Sequence, residues 1–185
     1  MYQFNLQQAI VRRVATNGGE YFVNAGGTQQ KGIEAFASYQ IFKNSTLGSL
    51  NIWLGFTGNN YHFNNYTLGT ANYSGNKITG VPGKVVVGGI DAEIGKRVYV
   101  NCTFNYTDKL PLTDANTIFA DSYRLLQTKI GYKCSIKKTG VELFAGADNI
   151  LNEQYSLGND INAAGARYYN AAPPRNFFVG ISVGW

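Results

Sequence analysis

The residues of this sequence best suited to chemistry are aromatic and basic side chains in or beside polar connecting segments. Aromatic rings stack on flat ligands and cations, and the guanidinium of arginine binds anions through a planar set of donors. The predicted ligand-binding residues are Tyr61, His62, Tyr66, Tyr73, Arg167, Tyr168 and Tyr169. Their types favour an anionic or aromatic ligand.

Catalysis has little support in the sequence. His62 is the single histidine, and no Ser, His and Asp set is recognisable from spacing. His62 suits an iron or haem ligand, but a polar residue at the edge of a loop is the simpler interpretation. Asp108, Asp114, Asn116 and Asp121 suit calcium, but their spacing departs from the known loop pattern and favours a solvated loop. We predict no catalytic residue, no metal site and no cofactor.

The composition favours a sheet with a large surface that does not face water. Only 15% of the 185 residues are charged, against roughly 25% in an average soluble domain. The 13 Tyr, 11 Phe and 22 Gly favour strands and tight turns. No apolar run is long enough for a transmembrane helix. The sixteen Lys and Arg are scattered along the chain, so no basic patch predicts nucleic-acid binding.

Period-two alternation predicts eight strands in one domain over residues 1–185. The clearest is the last, NFFVGISVGW, which places Phe177, Val179, Ile181 and Val183 on one side and small or polar residues on the other. The first strand is predicted from Tyr2 to about Val14. The others centre on residues 33–41, 50–56, 85–94, 98–107, 125–132 and 141–148. No predicted helix is available to cover the apolar rows, so we expect lipid to cover them.

Connection lengths alternate without exception. The predicted short turns are 43–46, 95–96 and 137–140, and the long loops are 15–27, 64–81, 108–120 and 149–174. This alternation is typical of an antiparallel up-and-down transmembrane β-barrel in an outer membrane, with short periplasmic turns and long exterior loops. Five charged residues fall opposite the apolar rows, where a water-filled interior would accept them: Asp91, Glu93, Lys129, Glu142 and Asp148.

Tyrosine has a second explanation in such a barrel, because Tyr and Trp concentrate at membrane interfaces. We prefer this structural explanation for Tyr39, Tyr106, Tyr123, Tyr132 and Trp185. For the loop tyrosines, ligand binding and a structural role both stay open.

Three segments carry a family resemblance. NAGGTQQKGIEAFASYQ (24–40) is similar to a Gly-x-Glu strand entry, DNILNEQY (148–155) to an Asp-Asn-Leu-x-Asn-x-x-Tyr motif, and PPRNFFVGISVGW (173–185) to a closing Pro-Arg-x-Phe strand with a terminal aromatic residue. All three resemble the carboxy-terminal part of the barrel of TonB-dependent outer-membrane receptors, of the siderophore and iron-complex type.

The resemblance implies a barrel of 22 strands with a plugged lumen, of which these eight form an open arc without the plug domain. It also implies TonB-coupled uptake of a ferric siderophore or similar large nutrient. Implied partners are outer-membrane lipid, the TonB complex through the missing amino-terminal part, and the barrel-assembly machinery through the terminal strand.

One alternative takes the eight strands as a complete small outer-membrane barrel with a structural or adhesive role, because eight strands suffice for closure. The amino terminus lacks the pattern of an export signal, which is consistent with a removed signal or with a piece of a longer chain. Cys102 and Cys134 are expected to be unpaired strand residues.

Overall fold

The computed structural model describes residues 1–8, 10–15, 17–24, 26–44, 46–95 and 97–185. Strands dominate this part of the chain, and its one helical element is a 3-10 turn at Ala164–Ala166. No helix in these ranges has the length and apolar character needed to cross a membrane.

Eight long strands form a single antiparallel sheet in chain order. They are β1 (Tyr2–Gln7), β2 (Gly27–Asn44), β3 (Gly48–Asn64), β4 (Lys84–Ile94), β5 (Val98–Thr107), β6 (Tyr123–Ile136), β7 (Thr139–Asp148) and β8 (Asn176–Gly184). The eight predicted strands and their order are confirmed. The alternation of connection lengths is also confirmed: short turns follow β2, β4 and β6, and long connections follow β1, β3, β5 and β7.

The first predicted strand was too long. β1 ends at Gln7, and the next residue, Gln8, has a φ of 55°, a left-handed conformation that turns the chain out of the sheet. Residues Ile10–Val14 instead form a separate hairpin with Glu20–Asn24. Three more short pairs lie in the long connections: 67–68 with 71–72, 110–111 with 119–120, and 156–159 with 169–171.

The sheet is open. Its order begins at β1 and ends at β8, and these two strands do not pair within the described ranges. β1 pairs with only the first part of β2, from Gly27 to Gly32. The predicted open arc is confirmed, and nothing in the pairing supports closure of these eight strands on their own.

The register separates an apolar outer face from a polar inner face. On the outer face, Val179 lies opposite Ala145 and Ile181 opposite Leu143, and the side chain of Val179 is 84% exposed. On the inner face, Asp91 pairs with Asn101 and Asn101 with Lys129. Since no second layer covers the outer face among the described residues, its apolar side chains have the exposure expected of a lipid contact.

Aromatic rings on the inner face lie over glycines of the neighbouring strand. A Cβ on Gly131 would stand 2.3 Å from the ring of Tyr99, its direct cross-strand partner. Four further opposed pairs show the same arrangement: Tyr2 with Gly32, Trp53 with Gly89, Phe178 with Gly146 and Phe144 with Gly180. Because a ring fits only where a side chain is missing, these pairs fix the strand register.

We predict that Gly131→Ala lowers the free energy of unfolding by about 1 to 3 kcal/mol, because the added methyl group overlaps the Tyr99 ring. Gly55→Ala is the matched control, since a Cβ there meets only ordinary contacts, at 3.7 Å from the Val87 carbonyl oxygen. Urea unfolding of the lipid-refolded protein measures both. Equal loss in the two variants would contradict the proposed register constraint.

Candidate functional site

Three of the long connections meet at the carboxylate of Asp114, whose residue is only 3% exposed. The hydroxyl of Thr79 and the Nδ2 of Asn162 both donate to its Oδ1, the latter at 2.9 Å. The Asp114 amide donates to Asn162 Oδ1 at 3.0 Å, and Asn76 Nδ2 donates to the Asp114 carbonyl oxygen at 2.8 Å. One residue therefore joins segments 65–83, 108–122 and 149–175, which we call the loop cluster.

Further hydrogen bonds extend the loop cluster on both sides of Asp114. The Asn116 side chain accepts from the Lys77 amide at 2.8 Å and donates to the Lys77 carbonyl oxygen at 3.0 Å. The Gly80 amide donates to the Pro111 carbonyl oxygen and the Asn162 amide to that of Leu112, each at 2.8 Å. These contacts hold the three segments as one unit.

Two of the predicted ligand-binding residues are buried in packing contacts. Tyr66 is 0% exposed, and its ring centroid lies 4.8 Å from that of Phe63 and 5.4 Å from that of Tyr73. Tyr168 belongs to a second apolar group with Leu112 and Ala120. In this structure Tyr66 and Tyr168 stabilise the loops, and Tyr73 packs beside the first of them.

Tyr61 and His62 lie near the carboxy-terminal end of β3, on opposite faces of the sheet. The Tyr61 hydroxyl is 2.5 Å from the hydroxyl of Tyr2, which also donates to Asn59 Oδ1 at 3.2 Å. Tyr61 shares the inner face with Asn59, whereas the alternation of the strand places His62 on the outer face. His62 also forms a β-bridge with Lys77.

Arg167 and Tyr169 line two neighbouring recesses. The first, of about 480 Å³, includes Arg12, Glu20, Asp160 and Arg167 in its lining. Within it, Arg12 Nη2 lies 2.5 Å from Glu20 Oε1, so the 10–24 hairpin reaches the recess with a paired charge.

The second recess, of about 320 Å³, is lined by Tyr169, Tyr155, Tyr123 and Asp121 among others. Tyr169 is 59% exposed, and Asn159 lines both recesses. Of the seven predicted ligand-binding residues, Arg167 and Tyr169 are thus placed together at an accessible surface.

Polar partners hold the charged side chains of the inner face. Asp91 accepts from Trp53 Nε1 at 3.1 Å and from Asn101 Nδ2 at 2.6 Å. Glu142 accepts from the Tyr99 hydroxyl and lies 3.7 Å from Lys129 Nζ.

The Lys129 ammonium also stands 4.1 Å from the ring centroid of Phe144. A polar recess of about 530 Å³ lies between these groups. The predicted inner-face positions of Asp91, Glu93, Lys129, Glu142 and Asp148 are confirmed by the register.

The loop carboxylates do not assemble into a metal site in the described ranges, where no group of three or more His, Cys, Asp or Glu side chains is placed to hold an ion. Asp114 instead accepts hydrogen bonds from Thr79 and Asn162, and Asp108 accepts from the Tyr106 hydroxyl.

Residues 2–150 match the family model described as "TonB dependent receptor-like, beta-barrel". The chain belongs to this family of TonB-dependent receptor barrels. Its apolar outer face therefore meets the lipid of the outer membrane, and its inner face lines the barrel. Family members are receptors that act in transport, not enzymes.

Solved structures show the same fold. The siderophore receptor PiuA of Acinetobacter baumannii superposes with a TM-score of 0.67 at 20% identity, over 93% of this chain and 24% of that one. The ferric citrate transporter FecA gives 0.70 at 17% identity, over 85% and 24%. The ferric yersiniabactin uptake receptor FyuA of Yersinia pestis gives 0.67 at 16% identity, over 88% and 24%. The chain thus spans about a quarter of the length of these structures.

The DNILNEQY motif of this TonB-dependent receptor barrel shapes the backbone between β7 and β8. Asn149 is buried, with a φ of 49°, and its Oδ1 accepts from the Glu153 amide at 2.9 Å. Its Nδ2 donates to the carbonyl oxygens of Glu153 at 2.9 Å and Pro173 at 3.3 Å. Asn152, at a φ of 56°, accepts from the Arg175 amide. The motif therefore ties the start of the loop to the entry of β8.

We predict that Asp114→Ala separates the three segments of the loop cluster, because it leaves the buried hydroxyl of Thr79 and the half-buried amide of Asn162 without their acceptor, at a cost of about 1 to 3 kcal/mol. Hydrogen exchange should accelerate in 65–83 and 149–175 together, with the sheet unaffected. Asp121→Ala, at an exposed position, is the control and should leave exchange unchanged. Faster exchange confined to 108–122 would show that the segments do not depend on one another.

We predict that Asn149→Gly destabilises the refolded protein by about 1 to 3 kcal/mol through lost side-chain hydrogen bonds. Asn149→Ala should cost about 1 to 2 kcal/mol more, because alanine disfavours the left-handed conformation. Asn65→Ala tests that conformational term alone, since Asn65 has a φ of 64° and no side-chain hydrogen bond is found for it among the described residues. Unfolding in urea gives the free energy of unfolding of each variant. Equal values for Asn149→Gly and unmodified protein would contradict the hydrogen-bonding role.

Proposed function

We propose that the chain forms the carboxy-terminal eight strands of the barrel wall of a TonB-coupled receptor that imports a ferric siderophore or a comparable iron chelate. The observation that carries the proposal is an open sheet, apolar outside and polar inside, beneath a hydrogen-bonded loop cluster. An open wall of this kind needs further strands to enclose a lumen. The plug domain and the segment that contacts TonB belong to the part of the receptor outside this chain.

The chemistry of the accessible loop surface supports an anionic ligand. Arg12 and Arg167 approach one recess from two different long connections, and Glu20, which pairs with Arg12, and Asp160 lie in the same lining. Aromatic rings line the recess beside it. Guanidinium groups bind carboxylate, catecholate and hydroxamate oxygens through directed donors. The structural neighbours are named as receptors or transporters of siderophores and ferric complexes, which agrees with this chemistry.

The predicted ligand-binding residues then divide into two roles. Arg167 and Tyr169 contact the ligand at the surface, and Tyr61, His62 and Tyr73 are half-buried positions from which contact requires local movement. Tyr66 and Tyr168 act indirectly by stabilising the loops. The terminal strand, residues 176–184, is the segment that the barrel-assembly machinery would recognise.

The test uses the receptor as its host makes it. Deleting the gene should abolish uptake of radioactive iron from one ferric siderophore under iron limitation, and deleting TonB should abolish the same uptake. Uptake that survives loss of TonB would refute the coupling. A protein that folds as a closed monomer from these eight strands alone would favour the structural or adhesive alternative.

The ligand surface is tested by binding. Arg167→Ala should weaken binding of the imported ferric siderophore by about tenfold or more, because a charge-assisted hydrogen bond contributes about 1.5 to 3 kcal/mol. Arg124→Ala is the matched control, because Arg124 is exposed on the outer face of the sheet and is not among the residues that line either recess. Titration of the purified receptor measures both, and equal affinity for the Arg167 variant and unmodified protein would remove Arg167 from the ligand site.

A further inference from the structure

The net charge of the chain is concentrated in its three short turns. Segments 43–47, 95–97 and 137–138 contain five basic residues and no acidic residue: Lys43, Lys96, Arg97, Lys137 and Lys138. The four long connections, 8–26, 65–83, 108–122 and 149–175, contain six residues of each sign, and the remaining strand positions contain five of each. The formal charge of +5 therefore lies entirely at the end of the sheet opposite the long loops. We call these five residues the basic rim.

Backbone hydrogen bonds join the turns that carry the basic rim. The Gly95 amide donates to the Leu47 carbonyl oxygen at 3.0 Å, which connects the first turn to the second. The Lys133 amide donates to the Arg97 carbonyl oxygen at 2.7 Å, which connects the second turn to the end of β6, beside the third. Lys96 lies outside the described residues and is counted in the rim only by its place in the sequence. The charges consequently follow one continuous edge.

Each turn of the rim adjoins an exposed apolar residue. Phe42 precedes Lys43, Ile94 precedes the 95–97 turn, and Ile136 precedes Lys137. These apolar side chains are 45%, 60% and 62% exposed, respectively. The register places Phe42 and Ile94 on the outer face, opposite Leu50 and Val98. Lys43 itself lies on the inner face by the register, opposite Ser49, and lines the polar recess there, so it adds to the charge of this edge from the lumen side. Arg97, Lys137 and Lys138, beyond the lipid-facing Ile94 and Ile136, stand at the depth of lipid headgroups, where long cationic side chains extend towards phosphate.

We propose that the basic rim is a docking surface for the headgroups of anionic phospholipids in the periplasmic leaflet. A basic side chain near an anionic membrane surface contributes attraction equivalent to about fivefold in local binding. Side chains of this kind in the 95–97 and 137–138 turns, which contain no acidic residue, give the rim a preference for anionic over zwitterionic lipid. The inference depends on the outer-membrane barrel but not on TonB coupling or on the nutrient.

The adjoining apolar row favours lipid over the other anionic macromolecule near this surface, the cell-wall polymer. A hydrated polymer below the membrane would meet the turn tips alone and would gain nothing from Phe42, Ile94 and Ile136. Lipid contacts both sets at once, through its chains and its headgroup.

The experiment measures lipid selectivity of the receptor as its host makes it, reconstituted in phosphatidylcholine vesicles. Electron spin resonance compares the association of trace spin-labelled phosphatidylglycerol with that of spin-labelled phosphatidylcholine. We expect a preference of about two- to fivefold for phosphatidylglycerol at low salt, falling towards none at about 0.5 M salt. The rim variant, in which the preference should be lost, is Lys43→Gln, Lys96→Gln, Arg97→Gln, Lys137→Gln and Lys138→Gln.

The matched control removes the same charge from the loop end of the sheet: Lys31→Gln, Lys77→Gln, Lys84→Gln, Lys109→Gln and Arg175→Gln. It should retain the preference, as should a rim variant with arginine in place of each lysine. An unchanged preference in the neutral rim variant, or an equal loss in the control, overturns the proposal.

Two further outcomes decide the remaining cases. Rim-dependent sedimentation with purified cell-wall sacculi, without any lipid preference, would overturn the proposal in favour of the polymer. If the neutral rim variant fails to fold, the salt titration of unmodified receptor decides, because a salt-insensitive preference cannot arise from the rim charges.

Discussion

In the hydrocarbon of a membrane, every backbone amide and carbonyl group must find its partner within the protein. The eight strands satisfy this condition between neighbours, and the uncovered edges at β1 and β8 show where it is not yet met. The same condition explains the strict period of two, since each strand must offer one face to lipid and the other to water. The side-chain pattern follows from the backbone requirement, and the inner aromatic rings over glycines then fix which register is used.

Outside the membrane the constraint changes, because loops have neither lipid nor a second sheet to cover them. The two clusters of buried apolar residues found in the described ranges accordingly lie in and near the long connections: Phe63 with Tyr66, and Leu112 with Ala120 and Tyr168. Within the sheet, the buried Tyr99 packs on the inner face over Gly131. Such small clusters contribute little alone. The buried carboxylate of Asp114 adds directed hydrogen bonds between segments, so the loop cluster gains a defined arrangement from polar contacts.

The strands could be predicted from sequence because their pattern is local, as the alternation in 98–107 shows. The extent of the first strand could not, since it depends on the backbone conformation of one residue, Gln8, after which the chain leaves the sheet. The role of Asp114 was also out of reach: its partners Thr79 and Asn162 lie 35 and 48 residues away. The spacing of the loop carboxylates predicted a solvated loop, which is wrong for Asp114, a residue only 3% exposed. Nothing local in the sequence distinguishes a buried Asp from an exposed one. The burial of Tyr66 and Tyr168 is non-local in the same way.

The residues that identify the family are different from those that would select a ligand. Asn149 and Asn152 adopt left-handed conformations and hold the entry of β8 by hydrogen bonds to backbone groups. This role concerns the backbone of the barrel and involves none of the residues that line the two recesses. Arg167 and Tyr169 are exposed, lie outside the resembling segments and make few contacts that the fold requires. They are thus free to vary with the ligand, because their replacement costs the barrel little stability. Under the proposed function, substrate choice follows the surface of the loop cluster, while the motifs below it report only the architecture.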